Sequence, residues 1–212
     1  MASSPTFTTI LLVRHGTTAT TGRVLPGRAP GLHLSERGRA EATELADRLA
    51  TSRRRPGALY TSPLERARET ASALAKSLQL RPVVERGLNE CDFGDWTGKR
   101  LSSLRRRKEW RSVQGSPSTF RFPRGESFGE MQQRIWSTLE RLASRHHNET
   151  IVVVSHADPI KAAVTYALGV PLDLFQRTII APCSLSAVAL TSASPVVLCV
   201  NASATLDGFG LA

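Results

Sequence analysis

Short apolar runs alternate along the chain with segments whose apolar residues recur at helical spacing. Residues 8–13 are apolar and β-rich, which is typical of a buried parallel strand. Segment 36–50 carries its apolar residues on one helical face, and Ser35 stands where an N-cap is expected. The same order returns with a strand at 58–60 and a helix that ends near Leu78. The first third of the chain therefore predicts two strand–helix units.

The rest of the chain continues this alternation. A capping box over 62–65, with Pro63 at the first helical position, is predicted to open the second helix. Segment 112–127 is rich in Ser, Gly and Pro and predicts a loop. The remaining predicted elements are strands at 82–85, 151–154, 185–190 and 195–200, a helix at 126–145, and a helix that Asp158 caps and that ends near Gly169. This order favours a mainly parallel sheet with helices on both faces.

Length and composition indicate one folded domain over residues 1–212. The chain is 41% hydrophobic and shows neither repeats nor a linker. It has no run of about 18 apolar residues and no basic segment before its first apolar run, so we expect neither a membrane span nor a signal peptide. Three cysteines without a CxxC pair are typical of reduced thiols, which favours a cytoplasmic location.

The net charge of +10 raises the question of nucleic-acid binding. The basic residues are scattered, and their short clusters at 53–55 and 105–108 are not interleaved with aromatic side chains. Only four of the 28 basic residues are lysines, a bias that codon usage explains equally well. We therefore expect no nucleic-acid partner, and a small anionic substrate accounts for useful positive charge.

Three strand-to-helix junctions carry residues suited to an anion. The first strand ends in Arg14 and His15, the second is followed by Arg66 in the next helix, and the strand at 151–154 is followed by His156. Ligands of open α/β sheets bind outside the carboxyl ends of the strands, next to helix N-termini. If these strands are neighbours, two histidines and two arginines face one crevice.

Each of these residue types fits a phosphoryl group. Arginine offers a rigid fork of donors that matches phosphate oxygens, and cationic neighbours oppose protonation of a nucleophilic imidazole such as His15. A lone histidine after a buried strand is more often structural, but three complementary junctions favour an anion site. The sequence contains no P-loop, HExxH motif or paired aspartates, so we expect no metal and no cofactor, and a phosphate or sulfate ion should fit.

These junctions resemble the histidine phosphatase superfamily, also called the phosphoglycerate mutase-like family. Its signature resembles the segment Leu12-Val13-Arg14-His15-Gly16-x-Thr18. Further similar segments follow in the expected order: Leu34-Ser35-x-x-Gly38, Tyr60-Thr61-Ser62-Pro63-Leu64-x-Arg66, Leu88-x-Glu90-x-x-x-Gly94-x-Trp96-x-Gly98, Gly125-Glu126-Ser127 and Val154-Ser155-His156. The resemblance covers residues 10 to 170 and implies a three-layer αβα sandwich.

The resemblance also implies catalytic roles. His15 would be the nucleophile that becomes phosphorylated, and His156 would stabilise the transferring phosphoryl. Glu90 would protonate the leaving oxygen and then activate water, with Asp92 as a rival proton donor. An exposed loop carboxylate is the structural alternative for Glu90.

Phosphate-binding roles follow for Arg14, Arg66, His156 and Thr18. Many members carry Glu or Gln where this chain has Thr17, so the hydroxyls of Thr18, Thr20 or Thr21 are candidates to replace that contact. Ala157 follows the second histidine where many members have glycine.

The expected function is hydrolysis of a small phosphorylated metabolite without a metal. Arg23, Arg28 and Thr21 are candidate substrate-binding residues. The arginine-rich segment 100–111 is a candidate, with Arg23 or Arg28, to meet additional negative charge on the substrate. A cofactor-dependent phosphoglycerate mutase is the enzymatic alternative, although the segment between Glu90 and Gly125 is short for one. A non-catalytic anion-binding module and a homodimer also remain open.

Overall fold

The computed structural model describes residues 7–52 and 54–203. Within these residues, a six-stranded sheet has the order β3-β2-β4-β1-β5-β6. The strands are β1 Phe7–Arg14, β2 Ala58–Thr61, β3 Pro82–Val84, β4 Thr150–Ser155, β5 Leu185–Thr191 and β6 Pro195–Ala202. The pairs β2–β3, β2–β4 and β1–β4 are parallel, whereas β5 runs antiparallel to β1 and to β6. The predicted, mainly parallel sheet is confirmed.

Helices cover both faces of this sheet. The described residues form α1 Glu36–Ala50, α2 Glu65–Leu78, α3 Leu101–Leu104, α4 Trp110–Gly115, α5 Phe128–Ala143 and α6 Ala157–Ala167. Alternate residues of β4 enter different cores: Ile151 and Val153 join the core that includes α5 and α6, whereas Val152 and Val154 join that of α1 and α2. This alternation follows from the period of two along a strand. The structure is thus the predicted three-layer αβα sandwich.

Three local predictions were wrong. Helix α2 begins at Glu65 after Leu64, which makes no capping hydrogen bond, and α6 begins after His156 rather than at an Asp158 cap. Segment 112–127 is not simply a loop, because α4 and a 3-10 turn at Pro117–Thr119 lie in it. Aromatic contacts around Trp96, including its stacking on Trp110, hold this segment against the core. Packing therefore overrides its Gly, Ser and Pro content.

The order of strands brings together the three strand-to-helix junctions that carry the candidate site residues. Because β4 lies between β2 and β1, Arg14 pairs with Ser155 and Thr61 pairs with Val154 in the register of the sheet. The carboxyl ends of these three parallel strands therefore form one edge of the sheet. The residues that follow each strand, His15, Ser62 and His156, emerge at this edge.

Gly38 lets α1 approach the loop that follows β1. A Cβ at Gly38 would lie 2.0 Å from the carbonyl oxygen of Thr17. Ser35 caps α1 through Gly38 N and donates to the same carbonyl at 3.0 Å. No side chain larger than hydrogen fits at position 38 unless the loop after His15 moves.

We expect Gly38→Ala to lower the free energy of unfolding by about 2 kcal/mol, because overpacking at a fixed backbone contact costs about 1–3 kcal/mol. Gly129→Ala is the matched control, because a Cβ there would lie 3.9 Å from its nearest neighbour, in the first turn of α5. Chemical denaturation of both variants measures the difference. Equal stability of the two variants would contradict this account of α1 packing.

Candidate active site

The predicted residues meet at the carboxyl edge of the sheet. His15 directly follows β1, His156 directly follows β4, and Arg66 lies in the first turn of α2. The ring centroids of the two histidines are 5.1 Å apart, and the Arg66 Nε lies 3.2 Å from the His15 Nε2. His15, His156 and Arg66 are all buried.

One tautomer of His15 is favoured by its neighbours. Its Nδ1 lies 2.7 Å from the carbonyl oxygen of Gly16, which can only accept a hydrogen bond, so Nδ1 carries the proton. The lone pair of a neutral ring is then on Nε2, where the Arg66 Nε–H points. Burial, followed by the charges of Arg14 and Arg66, lowers the pKa of His15 well below its usual value. His15 therefore presents an unprotonated Nε2 near neutral pH.

Arg14, Arg66 and His156 each keep a buried nitrogen atom without a hydrogen-bond partner. The Arg66 Nη2 donates to the Gly27 carbonyl at 2.8 Å, and the Arg14 Nη1 donates to the Ile180 carbonyl at 2.6 Å. Arg66 Nη1, Arg14 Nε and His156 Nδ1 have no hydrogen-bond partner among the residues that the structure describes. Leaving buried polar groups unpaired costs about 1–3 kcal/mol each. An anion that accepts from the two arginine nitrogens, and from His156 Nδ1 when that atom is protonated, would offset that cost.

His156 is oriented by a side chain that the sequence placed in a capping box. Its Nε2 lies 2.8 Å from the Ser62 Oγ, and Ser62 in turn donates to the Asn89 Oδ1 at 3.3 Å. The unpartnered Nδ1 is thereby left as the ring atom free to contact a ligand. Burial, followed by the charge of Arg66, lowers the pKa of His156 well below its usual value. Ser62 is therefore a site residue, although the sequence predicted it only as part of a helix capping box.

The pKa of Glu90 is raised, whereas the pKa values of His15 and His156 are lowered. Its carboxylate lies in the same cleft as His15, buried, and its Oε1 accepts from the Cys91 backbone N–H at 2.9 Å. Burial, followed by the negative charge of Asp158, raises the pKa of Glu90 to about 7. A carboxyl group with such a raised pKa is partly protonated at neutral pH, a property that suits a general acid.

Arg28 and Asp92 lie behind Glu90 rather than in the cleft. The Arg28 Nε and the Arg134 Nη2 both donate to the backbone carbonyl of Glu90, at 2.8 and 3.3 Å. The Asp92 Oδ1 accepts from the Gly94 N–H, and its Oδ2 is 3.7 Å from the Arg28 Nη1. Arg28 is therefore placed to position the Glu90 loop. Neither Arg28 nor Asp92 lines the cleft that contains His15.

The threonines after His15 are divided between two tasks. Thr17 donates its backbone N–H and its hydroxyl to the Glu41 carboxylate at 2.8 and 2.9 Å, which ties the loop to α1. Thr18 and Thr21 line the cleft, and their hydroxyl oxygens are 3.0 Å apart. Thr20 does not line it. Thr18 and Thr21 thus supply hydroxyls beside His15.

The cleft has a volume of about 360 Å³ and one largely apolar wall. Asp158, Lys161 and Gln176 line its polar side, where the Lys161 Nζ lies 3.3 Å from the Asp158 Oδ1 and 3.1 Å from the Gln176 Oε1. Lys161 and Gln176 were not predicted as site residues, and Asp158 was predicted to cap a helix. The positions of these three residues in the sequence match no ligand-binding motif, so only the tertiary structure brings them to the cleft.

Two predicted features lie elsewhere. Arg23 is exposed outside the cleft, and of segment 100–111 only Leu101, Arg105 and Trp110 line it. Arg53, in one of the short basic clusters, lies outside the described residues. None of the helices that the structure describes is long and apolar enough to cross a bilayer.

The tautomer and charge of His15 can be tested by ¹⁵N NMR of the imidazole rings, with the signal assigned by its loss in His15→Gln. We expect a proton on Nδ1 and a pKa well below 6.5, because burial and two arginines disfavour the cation. Exposed His33 is an internal control, since its hydrogen bond to Glu69 raises its pKa. A His15 ring that titrates at or above the pKa of His33 would contradict the assignment.

Comparison with known proteins agrees with this geometry. Residues 10–203 match the family model of the histidine phosphatase superfamily (branch 1). The chain is 33% identical to phosphoserine phosphatase 1 of Hydrogenobacter thermophilus over 188 residues, which are 86% of this chain and 88% of that protein. It is 31% identical to the probable phosphoglycerate mutase GpmB of Erwinia tasmaniensis over 185 residues, 84% of this chain and 83% of that protein.

A solved structure shares the fold. YhfR of Bacillus stearothermophilus superimposes with a TM-score of 0.83 at 28% identity and covers 93% of this chain and 98% of its own. On this evidence, and as the motifs around His15 and His156 predict, the chain belongs to the histidine phosphatase superfamily.

Proposed function

We propose that this chain hydrolyses small phosphomonoesters without a metal, through a phosphohistidine on His15. The observation that carries the proposal is the neutral Nε2 of His15 surrounded by buried, unpartnered nitrogens of Arg14, Arg66 and His156. Such groups stabilise negative charge on a phosphoryl group in transit. The 33% identity to a phosphoserine phosphatase supports a phosphatase.

In the first step, the His15 Nε2 attacks phosphorus while the bond from phosphorus to the leaving oxygen breaks. Arg14 and Arg66 donate to the phosphoryl oxygens, and Thr18 is placed to add its hydroxyl. A phosphate dianion beside His156 favours a proton on its Nδ1, which then donates to the same oxygens. Protonated Glu90 transfers its proton to the leaving oxygen, so an alcohol departs.

In the second step, ionised Glu90 takes a proton from water as the water oxygen attacks phosphorus. The phosphorus–Nε2 bond breaks, inorganic phosphate forms, and both His15 and Glu90 return to their starting states. The hydrogen bond from Nδ1 to the Gly16 carbonyl stabilises the positive charge that the ring carries while phosphorylated. Glu90 is favoured over Asp92 because only Glu90 lines the cleft.

The leaving group occupies the cleft beyond His15. Thr21 and Lys161 are candidates to contact its polar groups, and the apolar wall formed by Leu25, Phe93 and Val113 suits a carbon skeleton. We infer a small phosphorylated metabolite as substrate. Among the earlier candidates, Arg28 is better placed to hold the Glu90 loop than to touch this group.

Three further predictions about the chain remain. The single sheet of the described residues supports one catalytic domain over residues 1–212. Three cysteines without a disulfide support a cytoplasmic location. A homodimer is supported by the exposed Val196 and Leu198 on edge strand β6, and light scattering of the purified protein would establish its mass.

The proposal is tested by assaying chelator-treated protein on a panel of phosphomonoesters, and on 3-phosphoglycerate primed with bisphosphoglycerate. We expect phosphate release without added metal, and a loss of about a thousandfold or more in kcat for His15→Ala, because the variant lacks the nitrogen that attacks phosphorus. Isomerisation without net phosphate release would identify a mutase.

The exposed His33→Ala variant is the matched control and should retain wild-type rates. Activity of His15→Ala within about tenfold of wild type would refute the nucleophile assignment. Binding of phosphate without turnover of any ester would instead support a non-catalytic anion-binding module.

Glu90 should determine the alkaline limb of the pH profile. Its pKa of about 7 lies above the usual carboxyl value, so the acid form is present below that pH and is lost as pH rises through it. For alkyl phosphates we expect kcat/KM to fall above about pH 7, and Glu90→Gln to lower kcat and remove this limb.

A second measurement separates the two roles of Glu90. 4-Nitrophenyl phosphate needs little protonation of its leaving group, so Glu90→Gln should still form phosphohistidine from it and release one rapid equivalent of nitrophenol before slow turnover. Asp92→Asn is the matched control and should keep the wild-type limb. An unchanged limb in Glu90→Gln would assign the proton transfer to another group.

A further inference from the structure

The Glu90 loop, residues 87–90, is held by side chains that belong to other elements. The Arg134 Nη1, on α5, donates to the carbonyls of Gly87 and Asn89 at 2.8 and 2.9 Å. The Arg134 Nη2 donates to the carbonyl of Glu90 at 3.3 Å. Ser155 of β4 donates to the carbonyl of residue 88 at 2.8 Å. One guanidinium group thus contacts three of the four carbonyls of this loop.

Side-chain donors take the place of regular secondary structure in this loop. Among the residues that the structure describes, no backbone N–H donates to any of these four carbonyls. Buried backbone carbonyls need partners, so the loop depends on the side chains that supply them. Gly87 also packs directly on α5, where a Cβ would lie 2.0 Å from the Thr138 Oγ1. Helix α5, through Arg134, therefore fixes the backbone from which the Glu90 side chain extends.

Arg134 is itself held by a two-pronged ion pair with Glu126. Its Nε lies 2.8 Å from the Glu126 Oε1, and its Nη2 donates to the Glu126 Oε2 at 3.0 Å. The Asp92 N–H donates to the same Oε2 at 3.0 Å. Burial disfavours the charged form of Glu126, but the hydrogen bonds from Arg134 and Asp92 outweigh it and lower the pKa of Glu126. Glu126 is therefore ionised at neutral pH, and the pair is intact.

The charge of Glu126 matters to Glu90 as much as its hydrogen bonds do. A guanidinium bonded to the loop would by itself favour the ionised form of the Glu90 carboxyl and remove the proton that a general acid needs. The carboxylate of Glu126 balances the charge of Arg134. Asp92 is a weaker counter-charge, because its side chain is 40% exposed, against 18% for Glu126, and is screened by water. The loop thus gains a fixed donor without net charge.

The other charges around Glu90 belong to the cleft. Burial, followed by the charge of Asp158, raises the pKa of Glu90, and the charges of Arg66 and Arg14 oppose this rise. From behind the loop, Arg28 adds a cation that lies 2.8 Å from the Glu126 Oε2. The titratable and charged groups on the cleft side are Arg14, His15, Arg66, Arg105, Asp158 and Lys161. All six are unchanged in the variants described below, so a change in the titration of Glu90 reports the groups behind the loop.

We propose that Arg134 and Glu126 are a positioning pair for the general acid, in which Arg134 fixes the Glu90 loop and Glu126 keeps that support electrically neutral. Neither side chain lines the catalytic cleft, so both act through Glu90 and not on the substrate. The inference rests on the proposed function, because that function assigns the proton transfer to Glu90. It implies that geometry and charge can be removed separately.

Arg134→Lys tests the geometry. Lysine keeps the charge but lacks the planar fork that holds three carbonyls and both oxygens of Glu126. We expect kcat for alkyl phosphates to fall about tenfold or more, because small misplacements of a catalytic group cost up to about a hundredfold. The rapid release of nitrophenol from 4-nitrophenyl phosphate should persist, because that leaving group needs little protonation. The alkaline limb of kcat/KM should stay near its wild-type pH.

Arg141→Lys is the matched control for this variant. Arg141 lies on the same helix and also pairs with a carboxylate, the Glu85 Oε2, at 2.8 Å. Among the described residues, its side chain makes no hydrogen bond to the carbonyls of the Glu90 loop. Arg141→Lys should keep wild-type rates on both substrates.

Glu126→Gln tests the charge. Glutamine keeps the shape and one acceptor oxygen, but it leaves the Arg134 cation unbalanced. We expect the alkaline limb of kcat/KM for alkyl phosphates to move to lower pH by about half a unit or more, because the cation favours ionised Glu90. Ionisation of the substrate is the same for every variant, so the difference belongs to the enzyme. Glu130→Gln is the matched control, because it removes a carboxylate paired with Arg121 from a capping box that glutamine can also form.

The two variants give results that can overturn the positioning pair. Wild-type rates in Arg134→Lys, equal losses on alkyl and nitrophenyl phosphates, or a wild-type limb in Glu126→Gln would each do so. The proposed function would stand in those cases, because wild-type protein would still form phosphohistidine and release phosphate. Absence of phosphate release from either ester by the wild-type protein would overturn both.

Discussion

The hydrogen bond between the His15 ring and the Gly16 carbonyl governs the chemistry that the rest of the site can support. It keeps the proton on Nδ1 and leaves Nε2 as the only nitrogen of a neutral ring that can attack phosphorus. Both partners belong to the loop directly after β1, and Gly38 and Glu41 of α1 hold the next residue, Thr17, in place. The packing of a helix against one loop thus decides the tautomer of the nucleophile.

Burial acts in opposite directions on the two titratable groups of this cleft. It lowers the pKa of His15, because the charged form of an imidazole is the protonated one, and it raises the pKa of Glu90, whose charged form is the ionised one. The charges of Arg14 and Arg66 strengthen the effect on His15. The charge of Asp158 strengthens the effect on Glu90, which the same two arginines partly oppose. The same desolvated cleft therefore supplies an unprotonated base and a protonated acid near neutral pH.

This arrangement costs folding free energy, because it leaves buried nitrogens of Arg14, Arg66 and His156 without hydrogen-bond partners. Their neighbours satisfy only part of each side chain, through the carbonyls of Ile180 and Gly27 and the hydroxyl of Ser62. Well-packed cores rarely leave buried donors in this state, and their clustering around one lone pair is characteristic of a site that awaits an anion. The fold tolerates them because the strands beneath are firmly packed, with Ile10, Leu12, Val13 and the run from Ile151 to Val154 fully buried.

The sequence by itself determined the order of strands and helices, the family, and the residues at the strand ends, because hydrophobic periodicity and the motifs around His15 and His156 are local signals. It determined the Ser35 cap of α1 but not the starts of α2 and α6, the structure of segment 112–127, or the position of Arg28 behind Glu90. Ser62 and Asp158 have the local chemistry of caps, and only the neighbouring strands and helices direct them towards His156 and the cleft. The joining of the loop after His15 to the start of α3 was likewise decided by tertiary structure, since it depends on the bridge between Val24 and Arg100, residues far apart in the chain.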